Sequence, residues 1–362
     1  MLFLLKKYLI KDQNNLVYKL VIALLSALVL NVVFGVLFYL AEQHAQPSLT
    51  LTDSIWWSMV TMTTVGYGDY YPQTFIGRFV VGYSCFLIGI GLIGYLLGTL
   101  ADSIINLTNR KKKGLHTIKM KNHIIICHCP NEDKVLSFVE EIYASGQEQK
   151  DIVLISNALE ECPDKLAQKG VQFIKGDPTQ EDILLRAGLN TAEGVIIFAR
   201  NPGDSESDAG TFAIGTIVEM HEQHTNRPIK TVAEVVSPSS RKLFERSNID
   251  GAVIVEGVAD KLMVQEFLHP GVHETFEQLL TNTTGCQFYV CSTKLTGNRL
   301  VDIQAAALKH PDDLQIIGLN RNGDSMLNPT KKIVLESGDQ LIVLAQKKVQ
   351  YEKFEMDFLE KK

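Results

Sequence analysis

From Leu20 to Ala41 the chain reads LVIALLSALVLNVVFGVLFYLA, a run without one charged side chain. A run of roughly 20 predominantly apolar residues is the length needed to cross the hydrocarbon core of a bilayer. Ser26 and Asn31 are its only clearly polar members. A second uncharged run, FVVGYSCFLIGIGLIGYLLGTLA, extends from Phe79 to Ala101. Two spans with no small-residue cleavage site after the first predict retained membrane helices, with both ends of the chain on one side.

Flanking charge predicts which side. Lys6, Lys7, Lys11 and Lys19 precede the first run, and Arg110, Lys111, Lys112 and Lys113 follow the second. Between the runs Arg78 is the only strong base, against Glu42, Asp53 and Asp69. An excess of Lys and Arg marks cytoplasmic flanks, so both termini are expected to be cytoplasmic in a multi-pass plasma-membrane protein, with the lipid bilayer as a partner. The whole chain has 362 residues, 46 % hydrophobic and 21 % charged, with a formal charge of −6, and nothing in it argues for nucleic acid. The six cysteines, Cys85, Cys127, Cys129, Cys162, Cys286 and Cys291, lack a disulfide framework's spacing and are expected to be free thiols.

The segment between the spans is too short and polar for a third. Leu51 to Thr63, LTDSIWWSMVTMT, reads as a short helix capped by Thr52 or Asp53. It leads directly into Thr64-Val65-Gly66-Tyr67-Gly68-Asp69. A helix that dips into a membrane and returns as extended chain is tolerated only where it is buried in protein or lines a water-filled path.

Thr63, Thr64, Val65, Gly66, Tyr67, Gly68 and Asp69 resemble the signature of potassium-channel selectivity filters, residue for residue. The resemblance implies a line of main-chain carbonyls that replaces the hydration shell of a permeant K⁺. Gly66 and Gly68 would free the backbone to turn those carbonyls inward, and the Thr64 hydroxyl would add the innermost ring of oxygens. Tyr67 would brace the filter against Trp56 and Trp57. One chain supplies one strand and four are needed to surround an ion, so a homotetramer is expected. The second span then resembles the inner, pore-lining helix. Gly89 matches the gating-hinge position of such helices, with Gly91 and Gly94 at or below it, and Gly82 and Gly98 add to the glycine content. Each of these glycines is read either as a hinge or as a site of close helix packing. Asp102, at the pore mouth, forms a fourfold acidic ring or is an ordinary solvated aspartate. No arginine-spaced segment precedes the first span, so opening is expected to be driven from elsewhere.

After a basic stretch, the chain alternates strands and helices. Strands are expected at His123–Cys127, Asp151–Ile155, Val171–Ile174, Gly194–Ala199, Ile229–Val235 and Ala252–Val255, with helices at Asp133–Ala144 and Ala158–Lys169. That alternation means a doubly wound parallel sheet. Over Lys121 to Ala345 this half resembles the regulator-of-potassium-conductance (RCK) domain, a Rossmann-like module. The resemblance is carried by Phe173-Ile174-Lys175-Gly176-Asp177-Pro178-Thr179 running on to Ala187-Gly188-Leu189, and by Ala259–Leu280, which resembles a dimerising helix-turn-helix. The expected fold class is therefore a membrane α-helical pore, two transmembrane helices plus a pore helix, followed by an α/β RCK domain with a small α+β C-terminal lobe. The expected divisions are residues 1–19 (N-terminal segment), 20–105 (pore), 106–120 (linker), 121–258 (Rossmann-like lobe), 259–282 (helix-turn-helix), 283–347 (C-terminal lobe) and 348–362 (tail).

A dinucleotide site opens with G-x-G-x-x-G after the first strand. Here Cys127-His128-Cys129-Pro130-Asn131-Glu132 stands there, with no glycine and with negative charge where phosphate would sit. Asn157 occupies the position of the ribose-binding acid. NAD in its usual pose is not expected, and the regulatory ligand is left open as a nucleotide in another pose or a divalent cation. Candidate ligand-binding residues are Asn157, Asp177, Thr179 and Glu234. Calcium-gated members of the family place carboxylates after the fourth strand and at the end of the fifth; this chain keeps Glu234 but has Ala199 at the former, and hard cations need several oxygens. The loop Asp204, Glu206 and Asp208 reads as solvated. Cys127 and Cys129 face one way in a strand and His128 the other, so no metal site is assigned and packing competes with a reactive thiol. His269 and His273 flank Pro270-Gly271 and are read as ordinary polar contacts. Rings of this family contain eight such domains, so additional soluble RCK copies, begun at Met120, are a candidate for the other four. An anchored NAD-dependent oxidoreductase would need the absent glycine fingerprint and a catalytic constellation. A transporter would carry four filter repeats. The chain is expected to be neither, and no enzyme.

Overall fold

The computed structural model describes residues 16–145, 150–255, 257–283, 285–330 and 332–360. The flanking Lys6, Lys7 and Lys11 lie outside them. The chain divides into two units at Lys111/Lys112.

In the first unit, α1 spans Leu16–Glu42 and α2 spans Leu51–Met62. A π-helical turn at Gly77–Gly82 then runs into α3, Tyr83–Lys112. The helices running Tyr18–Glu42 and Gly77–Lys112 are long and apolar enough to cross a membrane. Phe34, Phe38, Leu49, Trp57, Met62, Val81 and Cys85 make the core of this unit, while most other apolar side chains on α1 and α3 face outward. An apolar exterior is what a bilayer solvates. The second span outruns its expected end at Ala101. Nothing between Thr99 and Lys113 breaks a helix, and the first seven residues of the expected linker, 106–112, are its last turns. Gly114, at φ +63°, stops it.

The second unit opens on the rest of that linker, which is packed and not free. Gly114 O accepts from Lys175 N (3.1 Å) and Arg186 Nη2 (2.8 Å), and Ile118 is buried against the sheet. Six parallel strands follow: β1 Ile124–Cys127, β2 Ile152–Ser156, β3 Gln172–Lys175, β4 Gly194–Ile197, β5 Lys230–Val235 and β6 Gly251–Ile254. Their order is β3-β2-β1-β4-β5-β6, the doubly wound arrangement the alternation predicts. β1 is the middle strand, aligned Ile125 to Val153 on one side and Val195 on the other. Its residues alternate between two cores: Ile125 and Cys127 face one layer of helices, Ile126 the other. Helices α4 (Glu132–Ala144), α5 (Asp164–Gln168), α6 (Glu181–Arg186) and α7 (Ser207–Thr225) cover the faces. The helix expected over Ala158–Lys169 shrinks to α5 because Pro163 disfavours helical backbone at Cys162 and sets the N-terminus behind it.

Beyond α8 (Arg241–Glu245), the expected helix-turn-helix is α9, Val258–Leu268, and α10, Val272–Leu280, turning on Gly271 at φ +97°. No residue of either is buried. The C-terminal lobe is an antiparallel sheet in the order β7-β10-β8-β9, from Gln287–Ser292, Gln340–Ala345, Leu314–Arg321 and Asp324–Leu327. Helices α11 (Leu300–Ala307) and α12 (Lys348–Glu360) cover one face. The segment expected as a tail from 348 is therefore α12, which buries Tyr351 and Phe354 in the lobe's core. Those two aromatics repeat at helical spacing, which the mostly polar composition of the segment obscures.

Candidate functional site

The approach to the candidate filter is a well-capped helix. Its N-cap is Thr50, one residue before the first expected helical position, rather than Thr52 or Asp53. Thr50 Oγ1 accepts from Asp53 N and the Asp53 carboxylate accepts from Thr50 N, a reciprocal capping box. At the other end, Val65 N and Gly66 N donate to Val60 O at 3.0 and 3.4 Å, drawing the chain back under the last turn of α2.

Thr64, Gly66 and Gly68 have φ of +60°, +57° and +78°, while Val65 and Tyr67 do not take positive φ. Alternation of left-handed and ordinary residues turns successive carbonyls to one side of the strand, where a plain extended strand would alternate them. The glycines accept this freely, whereas Thr64 does so at a cost of about 1–2 kcal/mol. The requirement at Thr64 is invisible in sequence. Thr63 to Asp69 are all exposed in the single chain.

The tryptophans divide their work. Trp56 stacks on Tyr67 (centroids 5.9 Å, 2° between planes) and donates from Nε1 to Asp69 Oδ2 at 2.8 Å. Trp57, expected beside Tyr67, instead stacks on Phe38 of α1 at 3.7 Å and is buried. Successive helical residues point about 100° apart, so two adjacent tryptophans on α2 do not brace one tyrosine. The polar residue that sequence reasoning passed over is Glu42. It is fully buried where α1 ends, and its carboxylate accepts four hydrogen bonds, three of them from Gln73 and Thr74 just beyond the candidate filter. Sequence reasoning counted it only as charge between the spans.

The inner-helix glycines also separate. A Cβ on Gly89 would stand 2.7 Å from Met62 Cα and O, so at this position glycine serves close packing against the end of α2. Around Gly91, Gly94 and Gly98 a Cβ would meet none of the described residues within 4 Å. Asp102 lies exposed on α3.

In the second unit, the crevice outside the carboxyl ends of the strands is where doubly wound sheets take ligands. Three of the four candidate ligand residues meet there. Asn157 Nδ2 donates to Asp177 Oδ2 (3.2 Å), and Thr179 donates to Asp177 Oδ1 from N (3.0 Å) and Oγ1 (2.7 Å). Partial burial works to raise the Asp177 pKa, but the Thr179 donors and the charges of His128 and Arg200 outweigh it and hold the carboxyl below its usual range. Glu234 is not with them. It ends β5, four strands from β3, roughly 19 Å at normal strand spacing. Its carboxylate, 9 % exposed, takes Lys134 Nζ at 2.5 Å and the N–H of Ala199 at 3.1 Å. Lys134 Nζ also sits over the Phe198 ring at 4.9 Å. The resident ammonium thus fills the place beside Glu234 that a soluble cation would need.

Other sequence candidates have plain structural roles. Asp208 is buried and caps β5, accepting from Val236 N (2.7 Å) and Ser237 N (3.0 Å), so the loop 204–208 is not simply solvated. Burial drives the Cys127 thiol pKa far up and that of Cys129 to about 11, so both stay protonated at neutral pH and packing is the better reading. His128, at φ +70°, is buried, and burial holds its pKa below 6.5. His273 N donates to Glu266 in the turn between α9 and α10.

Residues 26–106 match the ion channel family model, residues 119–231 the calcium-activated potassium channel slowpoke-like RCK domain, and residues 256–359 a part of the Castor and Pollux voltage-gated ion channels. Potassium channel protein 1 of Methanocaldococcus jannaschii is 26 % identical, over 80 % of this chain and 84 % of that protein. The calcium-gated potassium channel TvoK of Thermoplasma volcanium is also 26 % identical, over 83 % of each. The solved GsuK channel bound to NAD aligns over 92 % of this chain and 58 % of its own at 16 % identity, with a TM-score of 0.45. The matches define a channel pore joined to an RCK domain. This chain is a membrane protein similar over most of its length to potassium channels, which are not enzymes.

Proposed function

We propose that this chain forms a homotetrameric pore in which Thr63 to Asp69 are the K⁺ filter and the RCK domains gate it through α3. The observation that carries this is the alternation of φ at Thr64, Gly66 and Gly68, which sets the carbonyls of one strand in a row. Four such strands supply the oxygens that replace an ion's hydration. Lys19 and Arg110 to Lys113 flank the spans and support cytoplasmic termini in a plasma membrane. Gly91 and Gly94 are the better hinge candidates, since among the described residues nothing lies within 4 Å of a Cβ there, and Asp102 is a candidate for the acidic ring at the mouth.

Assembly of the RCK domains is supported by α9 and α10. They expose Phe267 (86 %), Leu280 (73 %), Met263 and Leu268, an apolar face of the kind a second copy covers. A ring of eight needs four further RCK domains. A soluble copy begun at Met120 would lack Ile118 from its core and be less stable by about 2 kcal/mol for that loss alone. The regulatory ligand is a nucleotide or a divalent cation. Glu132 and Asp133 open α4 where a pyrophosphate would rest, and Lys134 already neutralises Glu234, so the Asn157, Asp177 and Thr179 side of the crevice is the region to examine first.

Native mass spectrometry of the purified protein should give four full-length chains, or four with four shorter ones. Perfusing the RCK side of single channels in turn with Ca²⁺, adenine nucleotides, NAD(H) and buffers of different pH should change open probability with one of them. Monomers, or currents indifferent to every perfusate, would refute the assembly and the gating role respectively.

A further inference from the structure

Lys134 stands where helix electrostatics disfavour a lysine. It is the third residue of α4, after Glu132 and Asp133, and the partial positive charge of a helix N-terminus suits those carboxylates and opposes an ammonium. Asn131 already caps this end, its side chain accepting from Asp133 N at 2.9 Å. The helix itself gives no reason for a cation here. A residue kept against its local preference points to a contact made elsewhere.

That contact lies two strands away. In the order β3-β2-β1-β4-β5-β6, α4 begins just after β1 and Glu234 stands near the end of β5, with β4 between them, a span of roughly 10 Å at normal strand spacing. The Lys134 side chain crosses the end of β4, with Nζ 4.9 Å from the centre of the Phe198 ring and 2.5 Å from Glu234 Oε1. Phe138 packs edge-on against Phe198 at 5.2 Å, and Glu234 Oε2 accepts from Ala199 N at 3.1 Å. The bridge therefore passes over the β1/β4 boundary, where the strand order reverses and doubly wound sheets take ligands. A carboxylate buried this far is costly without a cation against it. Any soluble cation must compete with an ammonium tethered by its own stem, at an effective concentration of about millimolar or more. A hard cation also needs about six to eight oxygens, and among the described residues no three His, Cys, Asp or Glu side chains group as metal ligands.

We propose that Lys134 is a tethered cation that determines what this RCK domain responds to. It occupies Glu234 permanently and bolts the start of α4 to the end of β5. Soluble cations are thereby excluded from that half of the crevice, and Asn157, Asp177 and Thr179 remain as the half open to a regulator. The inference rests on the reading of this domain as the regulator of the pore.

The test is chemical denaturation of the purified full-length protein, in EDTA and in Ca²⁺ at matched ionic strength. Lys134→Met leaves the buried carboxylate for a soluble cation to find. With Ca²⁺ at about 10 mM and a Kd of ~1 mM, the weak end of calcium sites, mass action raises the variant's folded-to-unfolded ratio about tenfold. The wild type and Lys134→Arg keep their tethered cation and show no gain that depends on Glu234. Lys134→Met/Glu234→Gln has no charge left to pair and shows none either. Where Lys134→Met fails to assemble, Lys134→Gln, which keeps a donor but no charge, is read in its place. In single-channel records with Ca²⁺ perfused on the RCK side, open probability changes in Lys134→Met and not in Lys134→Met/Glu234→Gln. A Ca²⁺ gain in the wild type that Glu234→Gln abolishes would overturn the proposal. So would a Lys134→Met protein indifferent to Ca²⁺, or a gain that persists in the double variant. A Lys134→Met channel stabilised by Ca²⁺ yet unchanged in open probability would instead overturn the regulatory reading of the domain.

Discussion

Replacing Gly89 by alanine puts a methyl group where α3 meets the last turn of α2. The new Cβ would stand 2.7 Å from the Cα and O of Met62 and 3.1 Å from its carbonyl carbon. These are main-chain atoms, so no side-chain rotation relieves the clash, and ordinary carbon contacts lie near 3.5–4.0 Å. The two helices must separate by roughly 1 Å where α2 leads into Thr63. Overpacking of this kind costs about 1–3 kcal/mol, against about 1 kcal/mol gained by removing a glycine from a helix. The expected net loss is roughly 1 kcal/mol per subunit. Gly91→Ala and Gly94→Ala, whose Cβ atoms meet nothing within 4 Å, should keep the helical gain. Thermal dissociation of the detergent-solubilised assembly, followed by the fraction remaining at its assembled elution volume, measures all three. Gly89→Ala should dissociate at lower temperature than the wild type, and the other two at the same or higher temperature. A Gly89→Ala protein as stable as Gly91→Ala would refute the packing argument.

Three further outcomes are expected. Trp56→Phe keeps the ring beside Tyr67 but removes the 2.8 Å donor to Asp69, so openings should shorten without a change in reversal potential in single-channel records. Lys134→Met leaves Glu234 buried and unpaired, which should cost about 3 kcal/mol in a chemical-denaturation series; adding Glu234→Gln should recover most of it. Burial holds His128 below its ordinary 6.5, with Asp177 opposing and Arg200 adding to that effect. The unfolded chain therefore binds the proton first, and the stability His128 confers is present above pH 6.5 and lost as pH falls below it toward the native pKa. A His128→Gln protein should show a shallower loss of melting temperature between pH 7 and 5.

The two spans were the most legible part because a bilayer leaves so few options. Two uncharged runs of this length admit little besides helices. The sheet was legible for a related reason: parallel strands are buried on both faces, so Ile124–Cys127 and Ile152–Ser156 read as continuous apolar runs. Element ends were less so. Pro163 cut a predicted helix short, while α3 ran on because a charged stretch is as good a helix former as an apolar one. Long-range polar pairs were not legible at all. Lys134 and Glu234 lie 100 positions apart, and nothing local in either marks a partner. Glu42 looked like interfacial charge until Gln73 and Thr74 folded onto it. Trp56 and Trp57 looked equivalent because only packing against Phe38 distinguishes them.

The central claim is that Thr63 to Asp69 select K⁺. The most direct test is the reversal potential of the purified full-length channel in a planar bilayer with K⁺ on one side and Na⁺ on the other. A reversal potential close to that of K⁺, lost on Gly66→Ala where φ is +57°, is the predicted result. A reversal potential near zero in the wild type would contradict the account.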